Sequence, residues 1–193
     1  MRWQLTQAIA SQDTSRNGLL LVAAGGALSG ILTPLLPQLI DSIIGAPGDF
    51  RIALVALPFA LLVLILVRGY SANPWWAAIT AAIVTMIAFV LAVNAAIFID
   101  GQAADAAKGV RNILAGLAGG LIGSVVIALG IGLLPSGPRD AMAWLPMLIV
   151  GTVAGALLAF DNALDLDRTS VLYPIWQACV AVTLARALRR KSI

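Results

Sequence analysis

Few side chains in this sequence could do chemistry. It has no histidine and a single cysteine, Cys179, so histidine acid–base catalysis, histidine-ligated metals or haem, intrachain disulfides and cysteine-held clusters are excluded. The densest carboxylates are Asp161, Asp165 and Asp167, followed by Arg168. Oxygen ligands suit Ca²⁺ or Mg²⁺, but the spacing lacks the glycine turn and terminal glutamate of a calcium loop. A solvated loop, with Asp165 or Asp167 beside Arg168, is the expected state. No Ser–His, metal or paired-aspartate constellation is present. The expectation is a protein that is not an enzyme and that holds no metal or cofactor.

The remaining polar candidates lie within apolar runs: Thr80, Thr85, Asn94, Ser124, Thr152, Gln177 and Thr183. Helical hydroxyls commonly bond back to their own turn. Amides are costlier to bury, which singles out Asn94 and Gln177 as pathway or helix-contact residues. A second group is Thr33-Pro34-Leu35-Leu36-Pro37-Gln38-Leu39-Ile40-Asp41. Pro34 and Pro37 each remove a backbone donor and so should kink or end a helix. Thr33, Gln38 and Asp41 then either line a polar pocket at a broken span, or sit on a short interfacial helix after a span that ends at Leu36. The second is the simpler reading. No charged residue is placed deep in an apolar run, so proton coupling is not expected.

The elements that must position these residues follow from composition. Of 193 residues, 61% are hydrophobic and 11% charged, against about 45–50% and 25% in soluble domains, and the mean hydropathy is +0.98. A helix needs roughly 20 apolar residues to cross a bilayer. Six runs qualify: 18–37, 52–68, 75–99, 113–134, 142–160 and 171–188. They leave a short N-terminal segment (1–17), short loops and a basic tail (189–193). The runs do not alternate as barrel strands do, so the expected class is a single all-α integral membrane domain. The first run is too long for a signal sequence and is expected to stay on the protein.

With the N-terminus placed in the cytoplasm, that side holds Arg2, Arg16, Arg68, Arg139, Arg186, Arg189, Arg190 and Lys191, against Arg51, Lys108, Arg111 and Arg168 outside. The positive-inside rule therefore puts both termini in the cytoplasm, in a multi-pass protein of the cell inner (plasma) membrane. The formal net charge of +3 suits anionic headgroups and does not point to nucleic acid.

The two halves also resemble each other. Arg16-Asn17-x-Leu19-x3-Ala23-x-Gly25-x3-Ser29 recurs as Arg111-Asn112-x-Leu114-x3-Ala118-x-Gly120-x3-Ser124. Pro47-x3-Arg51-x-Ala53-x3-Leu57-Pro58 recurs as Pro135-x3-Arg139-x-Ala141-x3-Leu145-Pro146. Pro74-x-Trp76-x-Ala78-x2-Ala81 recurs as Pro174-x-Trp176-x-Ala178-x2-Ala181. The matches are collinear, one per span of a three-span unit, which gives units 18–99 and 111–188. Three is odd, so the second unit must be inverted, as in many transporter folds. Membrane-edge preferences for Arg, Pro and Trp are the competing explanation of the matches.

Small residues let membrane helices approach closely. Gly26 and Gly30, Gly116 and Gly120 with Gly123 beside them, and Gly151 and Gly155 form such seams. They suggest that spans one and four cross at the centre. The glycine-free second span reads as lipid-facing. Trp75, Trp76 and Trp144, with Tyr173 and Trp176, read as interfacial belts, and Trp3, Leu5 and Ile9 as an apolar face of an N-terminal interfacial helix. The function expected is a transporter- or channel-type subunit that moves or binds a small solute between the two units, as a homo-oligomer or with partner membrane subunits and membrane lipids. The alternative is a non-catalytic structural or assembly subunit of a larger bioenergetic or photosynthetic membrane complex.

Overall fold

The computed structural model describes residues 2–43, 45, 47–166 and 169–189, with side chains from Asn17 onward. The described residues are helical and contain no strand. Helix α1 spans Arg2–Leu32 and continues through a 3-10 turn, Thr33–Leu35, into α2, Leu36–Ile43. Then follow α3 (Gly48–Val55), α4 (Leu57–Tyr70), α5 (Trp75–Gln102) and α6 (Lys108–Gly132). A 3-10 turn at Ala141–Ala143 precedes α7 (Leu145–Gly155), α8 (Leu158–Ala163) and α9 (Leu172–Arg189).

Proline sets the breaks. Pro34 and Pro37 tighten one turn rather than ending the helix, and Asn17–Ile43 forms a single apolar stretch of 27 residues. The first span therefore does not stop at Leu36. Helix α1 begins at Arg2 and runs without a break into this stretch. Pro58, in the first turn of α4, clashes with the preceding turn, and α3 and α4 meet at Ala56 with a bend of 52°. Gly45 and Gly48 adopt φ values of 61° and 51° between α2 and α3, where a side chain would be strained.

Four stretches are long and apolar enough to cross a membrane: Asn17–Ile43, Trp75–Gln102, Lys108–Gly132 and Leu145–Ala163. The bent pair α3–α4 makes up to five. Helix α9 is not among them, because Gln177, Arg186 and Arg189 lower its hydropathy. Yet it is the enclosed element. Val180, Ala181, Leu184, Ala185 and Leu188 have almost no exposure, since α9 packs on α1, α4 and α7.

Three further expectations are corrected by the packing. Helix α4 is not a purely lipid-facing span. Phe59, Ala60, Val63, Leu66 and Val67 form one wall of the core, while Leu57, Leu61 and Ile65 face outward. Spans one and four do not cross: α1 runs along α9, and α6 runs between α5 and α7. Trp75 and Trp76 are exposed, but Trp144 and Trp176 are core residues. Their indole N–H groups donate to the Pro138 carbonyl (3.1 Å) and the Gly151 carbonyl (3.0 Å), partners that a large apolar side chain with one polar atom requires when buried. The side chains of Trp3, Leu5 and Ile9, the basic tail from residue 190, and Asp167 and Arg168 lie outside the described residues.

Candidate functional site

Two places bring polar side chains into the interior, and they differ in kind. The first is the α1–α9 crossing. A Cβ on Gly26 would lie 2.5 Å from the Cα of Ala178, and one on Gly30 would overlap the backbone of Pro174. Glycine alone lets the two backbones meet this closely. The polar groups carried into the contact satisfy one another. The Ser29 hydroxyl donates to Gln177 Oε1 (2.6 Å), and Gln177 Nε2 donates to the Thr33 hydroxyl (2.9 Å). The Thr33 hydroxyl donates in turn to the Ser29 carbonyl (2.9 Å). All three side chains are buried, and the cluster is closed.

Of the polar residues singled out in the sequence, only Thr33 and Gln177 meet here. Pro34 and Pro37 lie in the first span's tightened turn and the start of α2. Gln38 is exposed. Asp41 pairs with Arg51 at 2.6 Å. Asn94, also exposed, donates to Asp49 Oδ1 (3.1 Å) and to the Val90 carbonyl (3.0 Å). These residues do not converge on one cavity, so the sequence reading of a polar pathway through them is not what the fold builds.

The second place is a cavity of about 520 Å³ bounded by α5, α6, α7, α8 and α9, with Phe59 of α4. That volume lies within the range of small-molecule sites, roughly 300–1,000 Å³. Its inner part is lined by Phe59, Phe89, Ile127 and Trp176, and its wall along α6 by Gly116, Gly119 and Gly120. The glycines expected only to pack helices thus have two roles. Gly116 and Gly120 sit directly against Gly155 and Gly151 of α7, and Gly123 faces Ala92 and Trp176. The absence of side chains along α6 also leaves the cavity space.

One end of the cavity is ionic. Asp100, Lys108, Arg111, Asn162 and Asp165 line it, where α5 ends, α6 begins and α8 gives way to α9. Arg111 Nε lies 2.7 Å from Asp100 Oδ1. Lys108 and Asp165 have no ion-pair partner among the described residues. One turn deeper, Asn112 is only 7% exposed and lines the cavity, and its amide has no hydrogen-bond partner among the described residues. Buried amides are normally paired. This one makes no hydrogen bond to another described residue and lines the cavity, where its amide is open to whatever fills that space.

The acidic loop contributes more order than expected. Asp161 is buried, not solvated. Its carboxylate accepts from the Ser170 hydroxyl (2.5 Å) and from the backbone N–H groups of Val171 (2.9 Å) and Leu172 (3.3 Å). It caps the start of α9, where unpaired donors and the helix dipole favour an anion. Tyr173 and Trp176, in the first turn of α9 and one turn on, are thereby held in the cavity wall. At the opposite end of the bundle α9 is tied to α4 and α1. The Arg189 guanidinium stacks 4.4 Å from the ring centroid of Tyr70 and packs against Gly18, where a Cβ would lie 2.9 Å from Arg189 Nη2.

The chain matches no family model and no curated protein, and no solved structure matches it. The geometry of the cavity is the remaining guide to function. Sequence reasoning missed Asn112 as a site residue although it had drawn attention to the Arg111-Asn112 pair as a repeated motif. The signal was an amide one helical turn inside an apolar run, on the same face as Lys108.

Proposed function

We propose that the chain is a six-span membrane protein, built as two inverted three-helix units with both termini in the cytoplasm, that binds a small solute between the units and passes it across the membrane. The observation that carries this reading is the cavity itself. Its walls come from both halves of the chain, and Asn112, a buried residue whose amide has no hydrogen-bond partner among the described residues, opens onto it. The helix pairings support the symmetry: α1 against α9, and α6 against α5, are exchanged when the first unit is swapped for the second. The sixth crossing is α9, which can be less apolar because neighbouring helices rather than lipid surround it.

Sidedness is supported by contacts between loops. The Ser136 N–H donates to Asn73 Oδ1 at 2.9 Å, so the α4–α5 and α6–α7 connections share one end of the bundle. The ionic mouth lies at the other end, which the distribution of Lys and Arg makes the outer face. An outward mouth, with Arg189 packed on Tyr70 at the inner end, is what one state of a rocking, alternating-access device would present. The assembly-subunit alternative would use the glycine seams against another chain. Gly26, Gly30, Gly116, Gly120, Gly151 and Gly155 instead all face helices of this chain, which favours the solute-binding reading.

The test uses the scarcity of thiols. In a Cys179→Ala background, single substitutions Asn162→Cys, Ala72→Cys and Val93→Cys are exposed to a membrane-impermeant thiol reagent in right-side-out and inverted vesicles. Asn162→Cys should react only from outside and Ala72→Cys only from the cytoplasmic side. Val93→Cys, in the cavity wall, should react from outside at once and from the cytoplasmic side more slowly. A Val93→Cys protein that reacts from neither side would remove the cavity as a solute site.

A further inference from the structure

We infer that the solute is a single-tailed amphiphile with a zwitterionic head, bound with its head at Lys108, Asp165 and Asn112 and its tail along the Phe89–Trp176 wall. This rests on the reading of the cavity as a solute site and names what that site selects. Shape is the first argument. On α5 the lining runs from Thr85 to Asp100, a rise of about 22 Å at 1.5 Å per residue. Spread over that length, 520 Å³ makes a long, slender space suited to an extended chain and not to a compact, polar solute.

Polarity is the second argument. Below Asn112 the polar lining side chains are the Thr85 hydroxyl, the Tyr173 hydroxyl and the Trp176 indole. Thr85 donates to its own turn at Ala81 (2.8 Å) and Trp176 to Gly151. The deep cavity therefore offers a solute few hydrogen bonds, the Tyr173 hydroxyl being the lining group there without a partner among the described residues. The upper end offers much. Its charges balance, with Lys108 and Arg111 against Asp100 and Asp165. Arg111 and Asp100 neutralise each other, which leaves Lys108 and Asp165 without an ion-pair partner among the described residues, and the Asn112 amide beneath them. An anionic head alone would leave Asp165 unanswered, and a cationic head would leave Lys108 so. A head with a phosphate and an ammonium answers both, and its ester or hydroxyl oxygens can meet Asn112. Because lipid tails are as apolar as the cavity wall, tail burial gains little over the bilayer. Selection must come from the head.

The protein in nanodiscs of diacyl phosphatidylcholine is titrated with lysophosphatidylethanolamine carrying a brominated tail, and quenching of Trp176 is read as the saturable signal that Trp176→Phe abolishes. Competitors are lysophosphatidic acid, monoacylglycerol and tail-less phosphoethanolamine. The expected result is saturable quenching, with the zwitterion preferred at least about five-fold over the anionic and neutral amphiphiles. Asp165→Asn and Lys108→Gln, both on exposed side chains, should each weaken binding by about three- to five-fold, the scale of a solvent-exposed charge contact. Val93→Trp, which fills the space, should abolish it. Equal binding of all three amphiphiles, lost in Val93→Trp, would overturn the zwitterion and leave the cavity a solute site. Lysophospholipid binding that survives in Val93→Trp would overturn the tail's place along the Phe89–Trp176 wall. An absence of saturable binding by any probe would overturn both this inference and the function on which it rests.

Discussion

The α1–α9 and α5–α6 crossings carry glycine at similar spacing and end differently. At α1–α9, Gly26 and Gly30 bring backbone onto backbone, and the Ser29–Gln177–Thr33 cluster closes every polar group brought inside. At α5–α6 the approach is looser. A Cβ on Gly119 would lie 3.0 Å from the Ala92 carbonyl oxygen and 3.4 Å from the Ala96 Cβ. The glycines beside it open onto the cavity, and Asn112 makes no side-chain hydrogen bond to another described residue. Small residues let helices meet, and the neighbours decide whether the result is a clasp or a void. A clasp with satisfied polar groups suits a fixed axis, whereas a void with an unsatisfied amide suits a ligand.

The sharpest way to break this contrast is Gly30→Ala. The added methyl meets the Pro174 backbone, which has no flexible side chain to yield. Overpacking of this kind costs about 3 kcal/mol. Unfolding in mixed detergent micelles, followed by loss of helicity, should show a drop of that size. A change under about 1 kcal/mol would mean that the α1–α9 contact is not tight in the folded protein.

Gln177→Leu comes next. It preserves bulk but strips partners from the Ser29 and Thr33 side chains, although each hydroxyl keeps a carbonyl of its own helix, Gly26 and Ser29 respectively. The expected loss is about 1–2 kcal/mol, the upper part of the range for hydrogen bonds between membrane helices. Thr33→Val should cost less, and the double variant should be less than additive, since the residues belong to one network. Full additivity would show that the cluster is not one unit. Smaller again is Gly119→Ala at the looser crossing. Its Cβ needs a shift of a few tenths of an ångström, for a cost of about 1 kcal/mol. A Gly119→Ala loss equal to that of Gly30→Ala would erase the difference between the two crossings.

How much of this could be read in the sequence depends on whether the cause is local. Span 75–99 was legible because an uninterrupted apolar run starts just after Pro74, and α5 begins at Trp75. The glycine seams were legible as close contacts but not as to partner. Gly26 and Gly30 look the same in sequence whether they face α6 or α9, because pairing is set by how all the helices share a core. Asp161 was misplaced for a related reason. It reads as one of several acids in a polar loop, and its role arises only where the chain turns back so that the first N–H groups of α9 point at it. The cavity was the least legible feature. Its lining comes one or two residues at a time from separate helices, as alanine, glycine and valine that in sequence merely continue an apolar pattern.

The smallest expected effect concerns the two ion pairs Asp41–Arg51 and Asp100–Arg111. Asp41–Arg51 and Asp100–Arg111 have similar N···O distances, 2.6 and 2.7 Å, and their side chains are 41–50% and 32–41% exposed. Pairs this open to solvent contribute less than about 0.5 kcal/mol, because water and salt screen them and fixing two long side chains costs entropy. Asp41→Asn and Asp100→Asn should therefore leave the unfolding midpoint almost unchanged, and added salt should remove what difference there is. They should nevertheless part company in ligand binding. Asp41 lies outside the cavity lining, so its loss should leave binding unaltered. Asp100 holds Arg111 neutral, so its loss exposes a second cation at the mouth and should shift preference from the zwitterionic toward the anionic amphiphile. If both variants unfolded with equal, large losses, the mouth would be a structural brace like the clasp, and the contrast between the two regions would collapse.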